Sequence, residues 1–142
     1  EAIASRWPTL EQRVSEVVVR FMDPAETDNA GRPLPVVNVM LPWSHLHEEV
    51  LRSQVIIDGE TGNRLPSLEA AVAAKYAAMV SPNRMIDKKG QDAVDFRRLV
   101  GGNLGNLNID ELGRLAELVW EGATPDMLEL IDAVKNEKPF EL

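Results

Sequence analysis

Apolar residues recur along the chain with periods that change from one stretch to the next, and the changes mark out elements. In TLEQRVSEVVVR, residues 9 to 20, Leu10, Val14, Val17 and Val18 stand at helical spacing behind Thr9, a candidate cap. That pattern predicts a helix. The valine run leading into Phe21 suits a strand equally well, because β-branched side chains favour extended backbone. DPAETDNAGRP, residues 23 to 33, is dense in turn formers and predicts a loop. PVVNVMLP, residues 35 to 42, is a short apolar run between prolines and predicts a strand, central and buried on both faces. If residues 17 to 22 are also extended, the two strands form a hairpin across that long loop.

Ser44 is placed to cap a helix through HLHEEVL. VIIDGETGNRL predicts a second hairpin, with strands at residues 55 to 57 and 64 to 65 around a turn from Asp58-Gly59 to Gly62. Ser67 caps an alanine-rich helix with Glu69 in its first turn, where the helix dipole favours an anion. SPNRMIDKKG reads as a loop, and residues 91 to 100 as a second helix stopped by Gly101-Gly102. Asn108, with Glu111 three residues on, opens a helix to about Trp120 as a capping-box variant, and Thr124-Pro125 opens the last. The expected fold is α+β. A small mixed or antiparallel sheet, holding residues 35 to 41 and the 55 to 65 hairpin, is packed by helices. The expected division is a core over residues 1 to 100 and a helical extension over 101 to 142.

The length of 142 residues allows one real core, and 44% hydrophobic with 27% charged residues is ordinary for a globular chain. Without cysteine there is neither a disulfide nor a thiolate metal site, which suits a reducing cytoplasm. No apolar run reaches the roughly 18 to 20 residues a membrane span needs, and no secretory signal is recognisable. The net charge of -8 repels phosphate backbones, so bulk nucleic-acid binding is not expected. The chain starts at Glu1 rather than methionine, which suggests a processed product, a trimmed form or a piece of something longer.

One position breaks the apolar pattern with chemical consequence. On a helical wheel of residues 67 to 80, Leu68, Ala71, Val72, Tyr76 and Met79 share a face, and Lys75 falls among them. The next helix repeats the anomaly with opposite sign: Asp92, Asp95, Phe96 and Leu99 share a face, while Arg97 and Arg98 point elsewhere. Lysine is rarely buried unless paired, so the two helices should pack with a carboxylate neutralising Lys75. Two roles fit. Lys75 and Asp92 are a structural ion pair, or Lys75 borders a cleft and offers its ammonium to a phosphate or carboxylate while the aspartates orient it.

The stretch from Pro66-Ser67-Leu68-Glu69 through Lys75 and Ala78 to Arg84, and then GQDAVDFRRL, resembles the second half of the nucleotidyltransferase superfamily core, the polymerase-β-like fold. It is closest to the small bacterial toxin-type and abortive-infection branch. The match covers roughly residues 35 to 100. The resemblance implies transfer of a nucleotide from an NTP with Mg²⁺, Lys75 on the triphosphate, Arg84 assisting, Asp92 and Asp95 bracing Lys75, and the Ser67 hydroxyl contributing at its helix N-terminus. Two departures stand out. The family's Gly-Ser turn and Asp-x-Asp pair are absent, and where its third carboxylate belongs the chain has Asn38, a weaker Mg²⁺ ligand. Catalysis by this chain alone is therefore not expected. Either an upstream part of the same polypeptide or a protein partner completes the site, or the chain is a noncatalytic binding or interaction module.

Other candidates are weaker. His45 and His47 with Glu48 and Glu49 lack a third spaced metal ligand. Asp58-Gly59-Glu60 near Asn63 lacks the spacing of a calcium loop and reads as a turn. Arg84, Lys88, Lys89, Arg97 and Arg98 form the basic cluster of an acidic chain, either a solvated surface or a nucleotide patch. Trp7, Trp43 and Trp120 are expected in the core or a lid. No Ser-His-Asp arrangement, Walker loop or dinucleotide fingerprint is present.

Overall fold

The computed structural model describes residues 2–140; Glu1 lies outside them. The fold is α+β, with six helices and two small antiparallel sheets among the described residues. The chain separates into two compact units, residues 1–43 and 44–142.

The first unit holds α1 (Ala2–Arg6), β1 (Glu11–Val14), β2 (Val18–Thr27) and β3 (Pro33–Met40), with the strands in the order β1-β2-β3. Of the two readings open for residues 9 to 20, the extended one holds: residues 11 to 20 lie in the β1–β2 hairpin, and β2 pairs with β3 as expected of an extended run. The hairpin turn is closed by Ser15, whose backbone N–H donates to the Val18 carbonyl at 2.9 Å while its hydroxyl accepts from the Val18 N–H at 3.2 Å. The β-branched valines follow their extended preference once β2 has a partner on each side, Val19 lying between Val14 and Val39. The expected long loop is mostly strand too. Only residues 28 to 32 turn, held by the Asp28 carboxylate, which accepts from the N–H groups of Ala30 and Arg32. β3 is an edge strand rather than a central one, and Leu34, Val36 and Met40 are exposed on it. Pro33 and Pro35 explain the place, since a residue without an N–H is tolerated at a sheet edge.

The second unit holds α2 (His45–Ser53), β4 (Val55–Ile57), β5 (Arg64–Pro66), α3 (Leu68–Val80), α4 (Ile86–Gly101), α5 (Ile109–Glu117) and α6 (Thr124–Lys135). The single sheet expected from sequence is two sheets, because β4 and β5 pair with each other in the second unit while β3 pairs in the first. In the β4–β5 turn, Gly62 takes φ +70°, a conformation that glycine adopts without strain. α4 starts at Ile86, a turn and a half earlier than expected, without a side-chain cap.

α3 packs against both α4 and α5, and α6 against α5 and α4. A helix flanked on two sides is apolar on more than one face, which accounts for the alanines opposite its large residues. Ala70 and Ala73 are as completely buried as Val72 and Tyr76. The core runs from Leu46 through Tyr76, Phe96 and Leu112 to Met127, so residues beyond 100 share it with α3 and α4. Gly113 of α5 lies against the start of α6. A Cβ there would lie 3.1 Å from Thr124 Cγ2, and the Thr124 hydroxyl donates to the Gly113 carbonyl at 3.1 Å.

Candidate functional site

The α3–α4 packing brings Lys75, Arg84, Asp92 and Asp95 together. Lys75 Nζ lies 2.7 Å from Asp95 Oδ2 and 3.1 Å from Asp92 Oδ1. Arg84, in the connection before α4, donates from Nε to Asp92 Oδ2 at 2.9 Å, and its Nη2 lies 2.8 Å from the same oxygen. Gln91 Nε2 donates to Asp95 Oδ1 at 3.2 Å. The spacing follows from helix geometry, since Asp92 and Asp95 at i and i+3 lie on one face one turn apart. Asp92 is buried at 4% side-chain exposure, and each of its oxygens accepts from a cation. Lys75 keeps 33% of its side chain in solvent, so it sits at the rim of the helix interface rather than in its interior.

The four charges cancel. The Asp95 carboxylate, and after it Asp92, hold the Lys75 ammonium above the usual lysine range against the opposing effect of partial burial. Lys75 in turn keeps the Asp95 carboxyl below the ordinary aspartate range. The linkage has two signs. Asp95 contributes stability that is present above about pH 4 and lost as pH falls, whereas the Lys75 contribution is lost only as pH rises through its raised value.

Ser67 is elsewhere. Its hydroxyl accepts from the Ala70 N–H at 3.1 Å and donates to Gln54 Oε1 at 2.9 Å, so it works as the helix cap. It lies eight residues before Lys75, about 12 Å along α3 at the helical rise. Asn38 belongs to the first unit. It is exposed on β3, directly opposite Arg20, which is opposite Arg13 on β1. That cross-strand row puts Arg20 and Arg13 on the face that carries Asn38, with Glu11 3.9 Å from Arg13.

A second polar cluster gave little warning in the sequence. Glu49 of α2 is nearly buried, yet its carboxylate accepts from Arg52, from the Ser53 hydroxyl at 2.7 Å and from Arg114 Nη2 of α5 at 2.9 Å. Arg114 also holds Glu111, at 2.7 and 2.9 Å, and Gln54 donates to Glu111 at 2.8 Å. The Ser53, Arg52 and Arg114 donors bring the Glu49 carboxyl down to about 2. The one available signal was Glu49 standing three residues after Leu46, on the stripe that α2 buries. Because the folded value lies below the ordinary glutamate value of 4.5, Glu49 contributes stability that is present above pH 4.5 and lost as pH falls toward 2. Thermal unfolding scans from pH 7 to pH 2 should show the midpoint dropping across that window, and Glu49→Gln should flatten the drop. An unchanged acid limb in Glu49→Gln would show that the cluster does not control acid stability.

The remaining candidates are dispersed. His47 Nδ1 lies 2.9 Å from the Ser44 hydroxyl and His45 Nδ1 3.9 Å from Glu48; among the described residues no three potential ligands gather around a cation site. Arg97 is drawn out of the basic cluster. It stacks 4.2 Å from the Phe140 ring centre and donates to the Lys138 carbonyl at 2.6 Å. The three tryptophans are exposed at 43% or more instead of lying in the core, although the Trp120 indole N–H reaches the buried Tyr76 hydroxyl at 2.9 Å.

No protein-family model, curated protein or solved structure matches the chain. Among the described residues no helix is long and apolar enough to cross a membrane.

Proposed function

We propose that the chain is a noncatalytic binding or interaction module in which Lys75, Arg84, Asp92 and Asp95 brace α3 on α4. The observation that carries this is closure of the cluster. Two cations meet two carboxylates, and the buried Asp92 is fully engaged by the chain's own donors. A ligand phosphate at Lys75 competes with two carboxylates already within 3.1 Å. A protein is the favoured partner. Ile56, Ile57 and Leu65 are 53%, 72% and 44% exposed on the β4–β5 hairpin, and exposed apolar surface of that kind is what partners cover. The cysteine-free composition fits a cytoplasmic setting.

A nucleotide at the same residues is the second reading, and one observation favours it. Lys75 and Arg84 are 33% and 44% exposed and carry N–H donors beyond those given to the aspartates. The domain would then hold the phosphates of an NTP·Mg²⁺ complex while the rest of a nucleotidyltransferase site, including its carboxylates, came from an upstream part of the polypeptide or a partner.

Titration of ATP·Mg²⁺ and GTP·Mg²⁺ into the wild type and Lys75→Met, with unfolding of both followed in urea, separates the two. The brace predicts no saturable nucleotide binding. It also predicts a loss of about 1–2 kcal/mol in Lys75→Met, between the values of exposed and buried ion pairs. Saturable binding that disappears in Lys75→Met, with stability unchanged, overturns the brace in favour of a phosphate site.

A further inference from the structure

A cavity of about 410 Å³, open on one side, lies between α3, α6 and the segment that follows α6. Its volume falls within the range of small-molecule sites. Val80, Leu130, Ala133, Pro139 and Phe140 give it an apolar floor, with the Tyr76 ring alongside. Phe140 packs edge-on against Phe96 at 5.8 Å, and the Arg97 guanidinium lies 4.2 Å from its ring centre. The charged lining has one dominant sign. Asp126, Glu129 and Asp132 come from successive turns of α6, and the cation Lys138 lies 3.6 Å from Asp132. Asp132 is further satisfied by Asn136 Nδ2 at 2.8 Å. Among the described residues, neither Asp126 nor Glu129 has a cation within ion-pair distance, so the lining carries a net charge of about -2.

We propose that this cavity binds a small organic ammonium ion, an amine carrying a short apolar body. The body lies on the floor formed by Leu130, Pro139 and Phe140, and the ammonium faces Asp126 and Glu129. The combination selects by chemistry. An anion is repelled by the rim, whereas a bare metal cation gains nothing from the floor. This site is separate from the Lys75 cluster and does not depend on whether that cluster is a brace or a phosphate site.

The test titrates n-hexylammonium into the isotopically labelled full chain and follows backbone amide resonances, with hexanoate as a probe of equal length and opposite charge. Saturable shifts should gather at residues 126–133 and 138–140 for the ammonium and be absent for hexanoate. Asp126→Asn and Glu129→Gln, both surface changes that leave the core untouched, should each weaken binding roughly two- to fivefold, the range of exposed charge pairs. The unperturbed resonances of α4 and α5 report that the variants remain folded. Shifts that do not saturate, equal shifts with hexanoate, or undiminished affinity in the Asp126→Asn/Glu129→Gln double variant each overturn the proposal.

Discussion

Removing both cations from Asp92, in Lys75→Met/Arg84→Met, should lower the unfolding free energy by about 3–5 kcal/mol, the cost of leaving a buried charge uncompensated. Asp92 is 4% exposed and accepts two hydrogen bonds, one from each of these side chains, with Arg84 Nη2 a further 2.8 Å ion-pair contact. Either single change is milder because one cation remains: each cation donates one hydrogen bond to Asp92. In the double variant the carboxylate is left buried without a cation. Adding Asp92→Asn should recover part of the loss at pH 7, since a neutral amide is cheaper to bury than an unpaired carboxylate. Urea unfolding of the wild type, the double and the triple variant at pH 7 checks both statements. A double variant within 1 kcal/mol of wild type would mean that water reaches Asp92 freely and the cluster is no brace.

Phe96→Ala is expected to cost about 3–5 kcal/mol, the usual range for truncating a large buried aromatic. The side chain is wholly inaccessible and lies with Tyr76, Val100 and Leu112 in the core of the second unit. The ring contributes more than area, since its edge-on contact with Phe140 at 5.8 Å and 77° is of a kind worth roughly 0.5–1.5 kcal/mol. Phe140→Ala should cost less, because Phe140 keeps contact with solvent. The pair should be non-additive by about that coupling in a double-mutant cycle. A Phe96→Ala loss under about 1.5 kcal/mol would indicate that neighbouring side chains close the cavity. Since the whole stability of such a domain is of order 5–15 kcal/mol, either of these changes removes a large share of it.

The helix caps were legible in the sequence because they are local. Ser44, Ser67 and Asn108 each accept from the backbone N–H three residues on, an interaction set by the few residues around it. The encounter of Lys75 with Asp92 and Asp95 was legible for a related reason. Two neighbouring helices each exposed a charge on an apolar face, and opposite charges there have one low-energy arrangement. Legibility failed where a choice depended on distant partners. Residues 9 to 20 carry a helical spacing of apolar positions and a β-branched run at once. The choice falls to pairing with β3, some twenty residues away. The strand at residues 33–40 looked central because its side chains are apolar, yet its prolines and the absence of a second neighbour put it at the edge.

Asn108 shows both regimes at one residue. Its side chain caps α5 through the Glu111 N–H at 3.1 Å, as the spacing implied. The reciprocal half of a capping box would have Glu111 reach back to the Asn108 N–H. That N–H instead donates to Glu69 of α3, 39 positions earlier, at 3.0 Å, while Glu111 turns to Arg114 and Gln54. Composition and periodicity were enough for the α+β class, the capped starts of α2, α3 and α5 and the charge pairing of α3 with α4, because each rests on chain-local geometry or on the cost of burying one charge. The strand order, the division after Trp43, the Glu49–Arg114 cluster and the acidic cavity beside α6 came from packing. They join residues tens of positions apart, and no local pattern records which of several compatible partners a side chain will meet.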